Sequence, residues 1–326
     1  MQGKSHKISL LIISTVMLLV QSAFAQVTST FMRTFSGGGM NGGLALEATS
    51  DGGFIGTGQH ESSGAGSCDL YVYKVNGCGD PEWFKTYGSG AEDGGKWIEQ
   101  TPDGGYVISG LTHFGAGNYD NWLLKLDAAG NIQWNQIYGG GGNDYGLYVN
   151  TTSDGGYIMS GFMEGLGYGG ADVSLVKVDA LGNTQWVKIY GGGGSDWGDY
   201  VEQTPDGGYI VTGYTDSYGA GGPDVYVLKV DAAGTLQWSK TYGTASDDSQ
   251  PWGNLGYITP DGGYIIASHT NGAGAGNFDY LVLKLDVAGN VQWSNTYGGG
   301  GEESSRHIEP TPVSYTHLTL PTNREV

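Results

Sequence analysis

The sequence predicts an all-β chain made of a four-stranded antiparallel unit repeated five times. Two observations carry that reading: the composition and a period of about 52 residues. Of 326 residues, 62 are Gly. Gly costs about 1 kcal/mol per helical position relative to Ala, so long helices are excluded. The chain also holds 9 Trp, 22 Tyr and 8 Phe, too heavy an aromatic load for a solvated disordered segment. Gly does not recur at every third residue, which excludes a collagen helix. With 14 basic against 33 acidic residues the net charge is −19. Such a chain repels phosphate, so nucleic acid and anionic lipid surfaces are excluded as partners.

The first 25 residues have the form of a secretory signal peptide. Lys4 and Lys7 precede an apolar run from Ile8 to Val20, and Ala23-Phe24-Ala25 offers a small-x-small cleavage site. The run is shorter than the ~20 residues that span a bilayer, so the segment is expected to be removed, leaving no membrane span. The chain is therefore expected to be secreted, extracellular or on the cell surface.

The period then takes over. Asp-Gly-Gly recurs at Asp51, Asp103, Asp154, Asp206 and Asp261, and a Trp at Trp83, Trp134, Trp186, Trp238 and Trp293. Four residues after each Trp stands Tyr87, Tyr138, Tyr190, Tyr242 or Tyr297, always followed by Gly. Six further on is an acid: Asp93, Asp144, Asp196, Asp248 or Glu303. Lys74, Lys125, Lys177, Lys229 and Lys284 keep the same step. Self-similarity at this period marks a repeat architecture.

Each repeat holds four short apolar stretches, in the fourth copy Asp199–Gln203, Tyr209–Tyr214, Val225–Val230 and Leu236–Tyr242. Their length and their Val, Ile, Tyr and Trp content read as strands. Thr204-Pro205-Asp206-Gly207-Gly208 presets φ at Pro and supplies Gly where φ must be positive, a tight hairpin. Asp231-Ala232-Ala233-Gly234-Thr235 makes a second. The two middle strands are apolar at successive residues, which requires burial on both faces. Four antiparallel strands in about 50 residues is the pattern of a β-propeller blade. Blades are expected at 42–88, 93–138, 145–190, 197–242 and 252–297, with a sixth begun at Gly301–Glu309. Thr28–Phe35 reads as a lone fourth strand that completes the last blade.

Stretches such as Asp224-Val225-Tyr226-Val227-Leu228-Lys229-Val230-Asp231, Tyr190-Gly191-Gly192-Gly193-Gly194-Ser195-Asp196 and Asp206-Gly207-Gly208-Tyr209-Ile210-Val211-Thr212-Gly213 resemble the bacterial seven-bladed propeller repeat family. The resemblance covers nearly all of 28–312. It implies a secreted or cell-surface protein, in a family that mostly lacks assigned activities. More loosely, Asp127 to Trp134 is similar to the Trp-docking motif of quinoprotein propellers. It is one residue shorter, so quinone binding does not carry over. Residues 313–326 share nothing with the repeats and resemble a translated sequencing adapter. They are read as a non-native tail that truncates the natural protein, whose next Asp-Gly-Gly is due at 313.

Several residue sets invite a chemical reading. Gly139-Gly140-Gly141-Gly142-Asn143-Asp144 and its copy ending at Asp196 match the Gly-Gly-x-Gly-x-Asp of calcium β-rolls. Calcium there needs the unit repeated back to back. Here it returns once per blade, so the Asp is expected to cap backbone N–H groups and no cofactor is expected, with calcium as the alternative. The column lysines are expected to be paired or to snorkel, with an Asp or Asn two residues on. The Trp column is expected to pack blade against blade. Cys68 and Cys78 flank one strand, about 20 Å apart if extended, beyond disulfide reach.

A specific site requires residues that break the repeat. The loop after each second strand varies most and carries His60 and Glu61, then His113, Glu164, Asp216, and finally His269 and Asn271. These are the candidate ligand-binding residues, expected on one face. Ser249-Gln250-Pro251-Trp252 is an insertion between blades. No nucleophile elbow, phosphate loop or His-Glu-x-x-His motif is present, so no catalytic residue is assigned. The expected function is a noncatalytic scaffold binding a glycan or protein partner. The alternative is a propeller enzyme acting on polysaccharide, with Glu164 and Asp216 as its carboxyl pair.

Overall fold

The computed structural model describes residues 41–61, 68–113, 118–249, 253–303 and 308. The chain divides into two units, 1–35 and 36–326, and every described residue belongs to the second. The expected signal peptide, the Thr28–Phe35 strand, the 313–326 tail and Gln250-Pro251-Trp252 lie outside the described residues.

Among the described residues, twenty strands form five separate four-stranded antiparallel sheets, each in simple sequential order. The fold is that of β-propeller blades. The first blade is β1 (Asn41–Ala48), β2 (Phe54–His60), β3 (Asp69–Val75) and β4 (Pro81–Tyr87). The second is β5 (Gly94–Gln100), β6 (Tyr106–Thr112), β7 (Asp120–Leu126) and β8 (Ile132–Tyr138). The third is β9 (Asp144–Thr151), β10 (Tyr157–Glu164), β11 (Ala171–Val178) and β12 (Thr184–Tyr190). The fourth is β13 (Asp196–Gln203), β14 (Tyr209–Thr215), β15 (Asp224–Val230) and β16 (Leu236–Tyr242). The fifth is β17 (Leu255–Ile258), β18 (Tyr264–Thr270), β19 (Asp279–Leu285) and β20 (Val291–Tyr297). No helix among the described residues is long and apolar enough to cross a membrane.

The turn chemistry sets the register. In the fourth blade the Thr204 carbonyl accepts from Gly207 N at 2.8 Å, with Gly207 at φ 82°. Its neighbour Gly208 is required for room: a Cβ there would stand 2.3 Å from the Val230 carbonyl oxygen and 2.5 Å from Lys229 Nζ. The hairpin so closed pairs β13 with β14 from Gln203↔Tyr209 out to Asp196↔Thr215. β13 thus begins three residues before the sequence pattern suggests.

Lys229 explains the Asp-Gly-Gly column. Its ammonium pairs with Asp206 Oδ2 at 3.0 Å and donates to the Val230 carbonyl at 3.1 Å. Asp206 also accepts from Thr204 Oγ1 and Gly208 N. The same pairs form between Lys74 and Asp51, Lys125 and Asp103, Lys177 and Asp154, and Lys284 and Asp261. The ion-pair partner is therefore the hairpin Asp across the sheet, where sequence spacing points to a residue two positions on.

The apolar core lies between blades. Strand side chains alternate in direction, so successive residues of a middle strand feed different interfaces. Ile108 joins Ile55, Val72 and Ile98 against the first blade, while Val107 joins Val149, Met159 and Val176 against the third. Every residue of β6, β7, β14, β15, β18 and β19 is buried. The Trp column bridges outward. Trp134 lies 5.7 Å from Tyr157 of the next blade, and Trp186 5.9 Å from Tyr209. Tyr87 and Tyr242 donate to the next blade's Gly130 and Gly289 carbonyls, both at 2.6 Å. β20 is exposed along its whole length, with Trp293 39% exposed.

Candidate functional site

The sequence-selected residues sit at the same end of their sheets, but His60, Glu164 and His269 belong to the ends of second strands and not to the loops that follow them. Glu164 closes β10, and its carboxylate accepts from Asn143 N at 2.8 Å and Asn143 Nδ2 at 3.2 Å. Asp216 donates its backbone N–H to the Ser195 carbonyl, and Asn271 donates likewise to Asp247. His113 packs its ring 4.4 Å from Tyr119. His60 is buried against Tyr71 and Phe84, and His269 is buried and stacks on Tyr280. Glu61 is exposed. Glu164, Asp216 and Asn271 thus brace the loop that opens their own blade. Among the described residues, no three His, Cys, Asp or Glu are grouped to hold a metal ion.

The Gly-rich connectors are capped as their sequence suggests. Asp144 Oδ2 accepts from Gly140 N at 2.7 Å, and Asp196 Oδ2 from Gly192 N at 2.8 Å. Cys68 and Cys78 are free thiols; burial, with Glu92 nearby, pushes the Cys68 thiol up.

The blades converge at their first strands, and there the repeat is broken chemically. Pairing registers place one extra residue in each of four first strands: between Gly43 and Ala45, Gly95 and Trp97, Gly146 and Tyr148, and Gly198 and Tyr200. A β-bulge of this kind bends the strand and re-aims a side chain. The extra residues are Leu44, Lys96, Leu147 and Asp199, and all four line one cavity of about 140 Å³. Trp97, Tyr148 and Leu255 complete the lining, so all five first strands contribute.

This cavity has an aromatic wall and two opposite charges. Trp97 and Tyr148 are 4.4 Å apart, and Tyr148 and Tyr200 are 4.5 Å apart. Lys96 Nζ stands 5.8 Å from the Tyr145 ring, and burial lowers its pKa against the pull of Glu92. Asp199 is held by Asn254, which donates from Nδ2 at 2.7 Å and from its backbone at 3.3 Å. Asn254 in turn accepts from Ser249 Oγ and Ser268 Oγ. The carboxylate therefore has a fixed orientation set by a buried polar chain.

Two glutamates on the same strands stitch blade to blade. Glu99 accepts from Thr151 N at 3.0 Å and Thr151 Oγ1 at 2.9 Å, and burial pushes it up to about 7. Glu202 accepts from Ile258 N and Tyr200 Oη, and burial raises it too. Sequence reading misses this site because it looks for variation in loops. The available signal is the residue after the first-strand Gly, which changes from Leu to Lys to Leu to Asp while the Gly before it keeps the period.

No family model matches the chain, and no curated protein matches it. Among solved structures it is similar to a protein of unknown function from Dyadobacter fermentans, at 12% identity and TM-score 0.49, over 82% of this chain and 85% of that one. It is similar also to a protein of unknown function from Bacteroides caccae, at 12% identity and TM-score 0.48, over 78% and 81%. An endo-arabinase from Bacteroides thetaiotaomicron is similar at 11% identity and TM-score 0.42, over 74% and 92%.

Proposed function

We propose that the chain is a noncatalytic, secreted or cell-surface propeller scaffold that binds a glycan or protein partner at the convergence of its first strands. The observation that carries this reading is the bulge-lined cavity, where two blades present Lys96 and Asp199 at the position that is Leu44 or Leu147 in their neighbours. An aromatic wall offers a flat apolar surface, and Lys96 and Asp199 offer a donor and an acceptor, the combination that orients a polar ligand. At about 140 Å³ the cavity falls below the roughly 300–1,000 Å³ of small-molecule sites, so it receives the tip of a larger partner. Export rests on the signal-like segment 1–25.

The carboxylates do not favour hydrolysis. A glycosidase needs two carboxyl groups about 5–10 Å apart across the scissile bond. Of the alternative pair, Glu164 spends its carboxylate on Asn143, and Asp216 is tied through its backbone to Ser195 in the loop that opens its own blade. A glycan array with a parallel hydrolysis screen tests the proposal. Binding without turnover, weakened by Lys96→Met, supports it. Turnover abolished by Glu164→Gln overturns it.

A further inference from the structure

A second repeated feature lies at the junctions between blades. An Asp stands five residues before each column lysine: Asp69, Asp120, Asp172, Asp224 and Asp279. It belongs to the third strand of its blade. Facing it across the junction is the acid at the start of the next blade: Asp93, Asp144, Asp196, Asp248 or Glu303.

The third junction shows the geometry. Asp172 is 0% exposed. Its Oδ2 accepts from Tyr168 N at 2.9 Å, but its Oδ1 is buried with no hydrogen-bond partner among the described residues. Asp196, also 0% exposed, accepts at Oδ2 from Gly192 N and Ser217 Oγ and at Oδ1 from Thr215 Oγ1. Between the two acids passes Gly191. A Cβ there would lie 1.9 Å from Asp172 Oδ1 and 2.6 Å from Asp196 Oδ2. Gly is thus required after the column Tyr because two carboxylates from different blades close on it.

The arrangement repeats. At Gly139 the corresponding distances are 2.0 Å to Asp120 Oδ1 and 2.4 Å to Asp144 Oδ2. At Gly298 they are 1.6 Å to Asp279 Oδ1 and 2.6 Å to Glu303 Oε2. Asp224 Oδ1 and Asp279 Oδ1 are buried without a partner, as Asp172 Oδ1 is. No column lysine neutralises these acids, because each is already paired with the hairpin Asp at the other end of its strand.

Two buried carboxylates facing one another repel, and a buried charge without compensation costs several kcal/mol. Burial and the charge of Asp196 both push the Asp172 carboxyl up, and burial with Asp248 does the same to Asp224. A Ca²⁺ ion holds oxygens at about 2.3–2.6 Å in flexible geometry, so two carboxylate oxygens that both approach Gly191 this closely are near enough to each other for one ion beside the glycine to bridge them. Mg²⁺ demands a stricter octahedron and keeps its waters, which a buried junction does not accommodate. The hydroxyls of Thr215 and Ser217 on the same carboxylate keep the donor set all-oxygen. At the fourth junction Asp248, Thr244 and Thr270 line a cavity of about 670 Å³ that gives an ion access.

We propose that the blade junctions are Ca²⁺ sites, each ion bridging the third-strand Asp of one blade to the acid that opens the next. The sites are separate from the first-strand cavity and bind blade to blade.

The test uses the full chain stripped with EDTA and titrated with Ca²⁺, and in parallel with Tb³⁺, whose luminescence Trp197 beside Asp196 would sensitise. The expected results are more than one ion bound per chain and an unfolding midpoint several degrees higher in millimolar Ca²⁺ than in EDTA, about the shift expected when a ligand exceeds its dissociation constant a hundredfold. Asp172→Asn should remove one ion and shrink that shift. If it does not fold, Asp224→Asn takes its place. Equal midpoints in Ca²⁺ and EDTA with no Tb³⁺ signal overturn the proposal. So does an Asp172→Asn chain that is more stable than the parent in EDTA and indifferent to Ca²⁺, the behaviour of two carboxyls sharing a proton.

Discussion

The ammonium of Lys177, 2% exposed in the middle of β11, lies 2.9 Å from Asp154 Oδ2, in the hairpin that joins β9 to β10. It also donates to the Val178 carbonyl at 2.9 Å. The pair is asymmetric: the lysine is buried, whereas Asp154 is about half exposed. Removing the carboxylate strands a buried cation, and removing the cation frees an acid that water can solvate.

Asp154→Asn is therefore expected to destabilise the chain by about 2 kcal/mol, below the ~3–5 kcal/mol of a fully buried pair because Asp154 reaches solvent. Lys177→Met, which keeps the aliphatic stem packed, is expected to cost clearly less. Urea unfolding of both variants checks the order. A larger loss in Lys177→Met would show that the lysine's packing, and not its charge, matters.

Stability should fall at both ends of the pH scale for opposite reasons. The Thr259 hydroxyl and the Lys284 ammonium hold Asp261 down at about 2. A depressed carboxyl contributes stability above its ordinary value near 3.8, and the contribution is lost as pH falls through about 2. Glu99 behaves inversely. Burial raises it from 4.5 to about 7, so its contribution is complete below pH 4.5 and lost as pH rises through 7. The partly buried carboxyl gives roughly 2 kcal/mol after solvent screening. Unfolding midpoints between pH 4.5 and 8 should decline in the parent chain and flatten in Glu99→Gln. An unchanged slope in the variant would assign the decline to another group.

The blades are legible in the sequence because the same requirement is imposed five times. Pro205 and Gly207 fix a hairpin, and Lys229 needs its Asp206, so the columns recur wherever those contacts recur. The acids of the Asp172 column are as regular as the lysines five residues later. Their meaning stays hidden because only the folded junction brings Asp172 to Asp196. Lys96 and Asp199 are hidden differently. A β-bulge is one inserted residue in a pairing register, and a chain read alone has no register. The loop histidines mislead because variability has two causes, a specific site and relaxed packing. His60 and His269, buried against aromatic rings, belong to packing.

Two glycines with the same backbone conformation separate strain from packing. Gly155 and Gly182 have φ of 80° and 82°. A Cβ on Gly155 would meet nothing within 4 Å, whereas one on Gly182 would stand 2.7 Å from the Trp134 indole. Gly155→Ala should therefore cost only the left-handed backbone penalty, about 1–2 kcal/mol. Gly182→Ala should cost that and a displaced Trp134, about 1–3 kcal/mol more. Trp134 rests on this turn from the preceding blade, with Nε1 donating to the Ala180 carbonyl at 3.3 Å. In a Trp134→Ala background the excess at Gly182 should vanish and the cost at Gly155 should persist, since the Trp134 indole is what a Cβ on Gly182 meets. Equal costs for the two glycines in the parent chain would mean that the indole yields freely, and that the Trp column contributes little to holding neighbouring blades together.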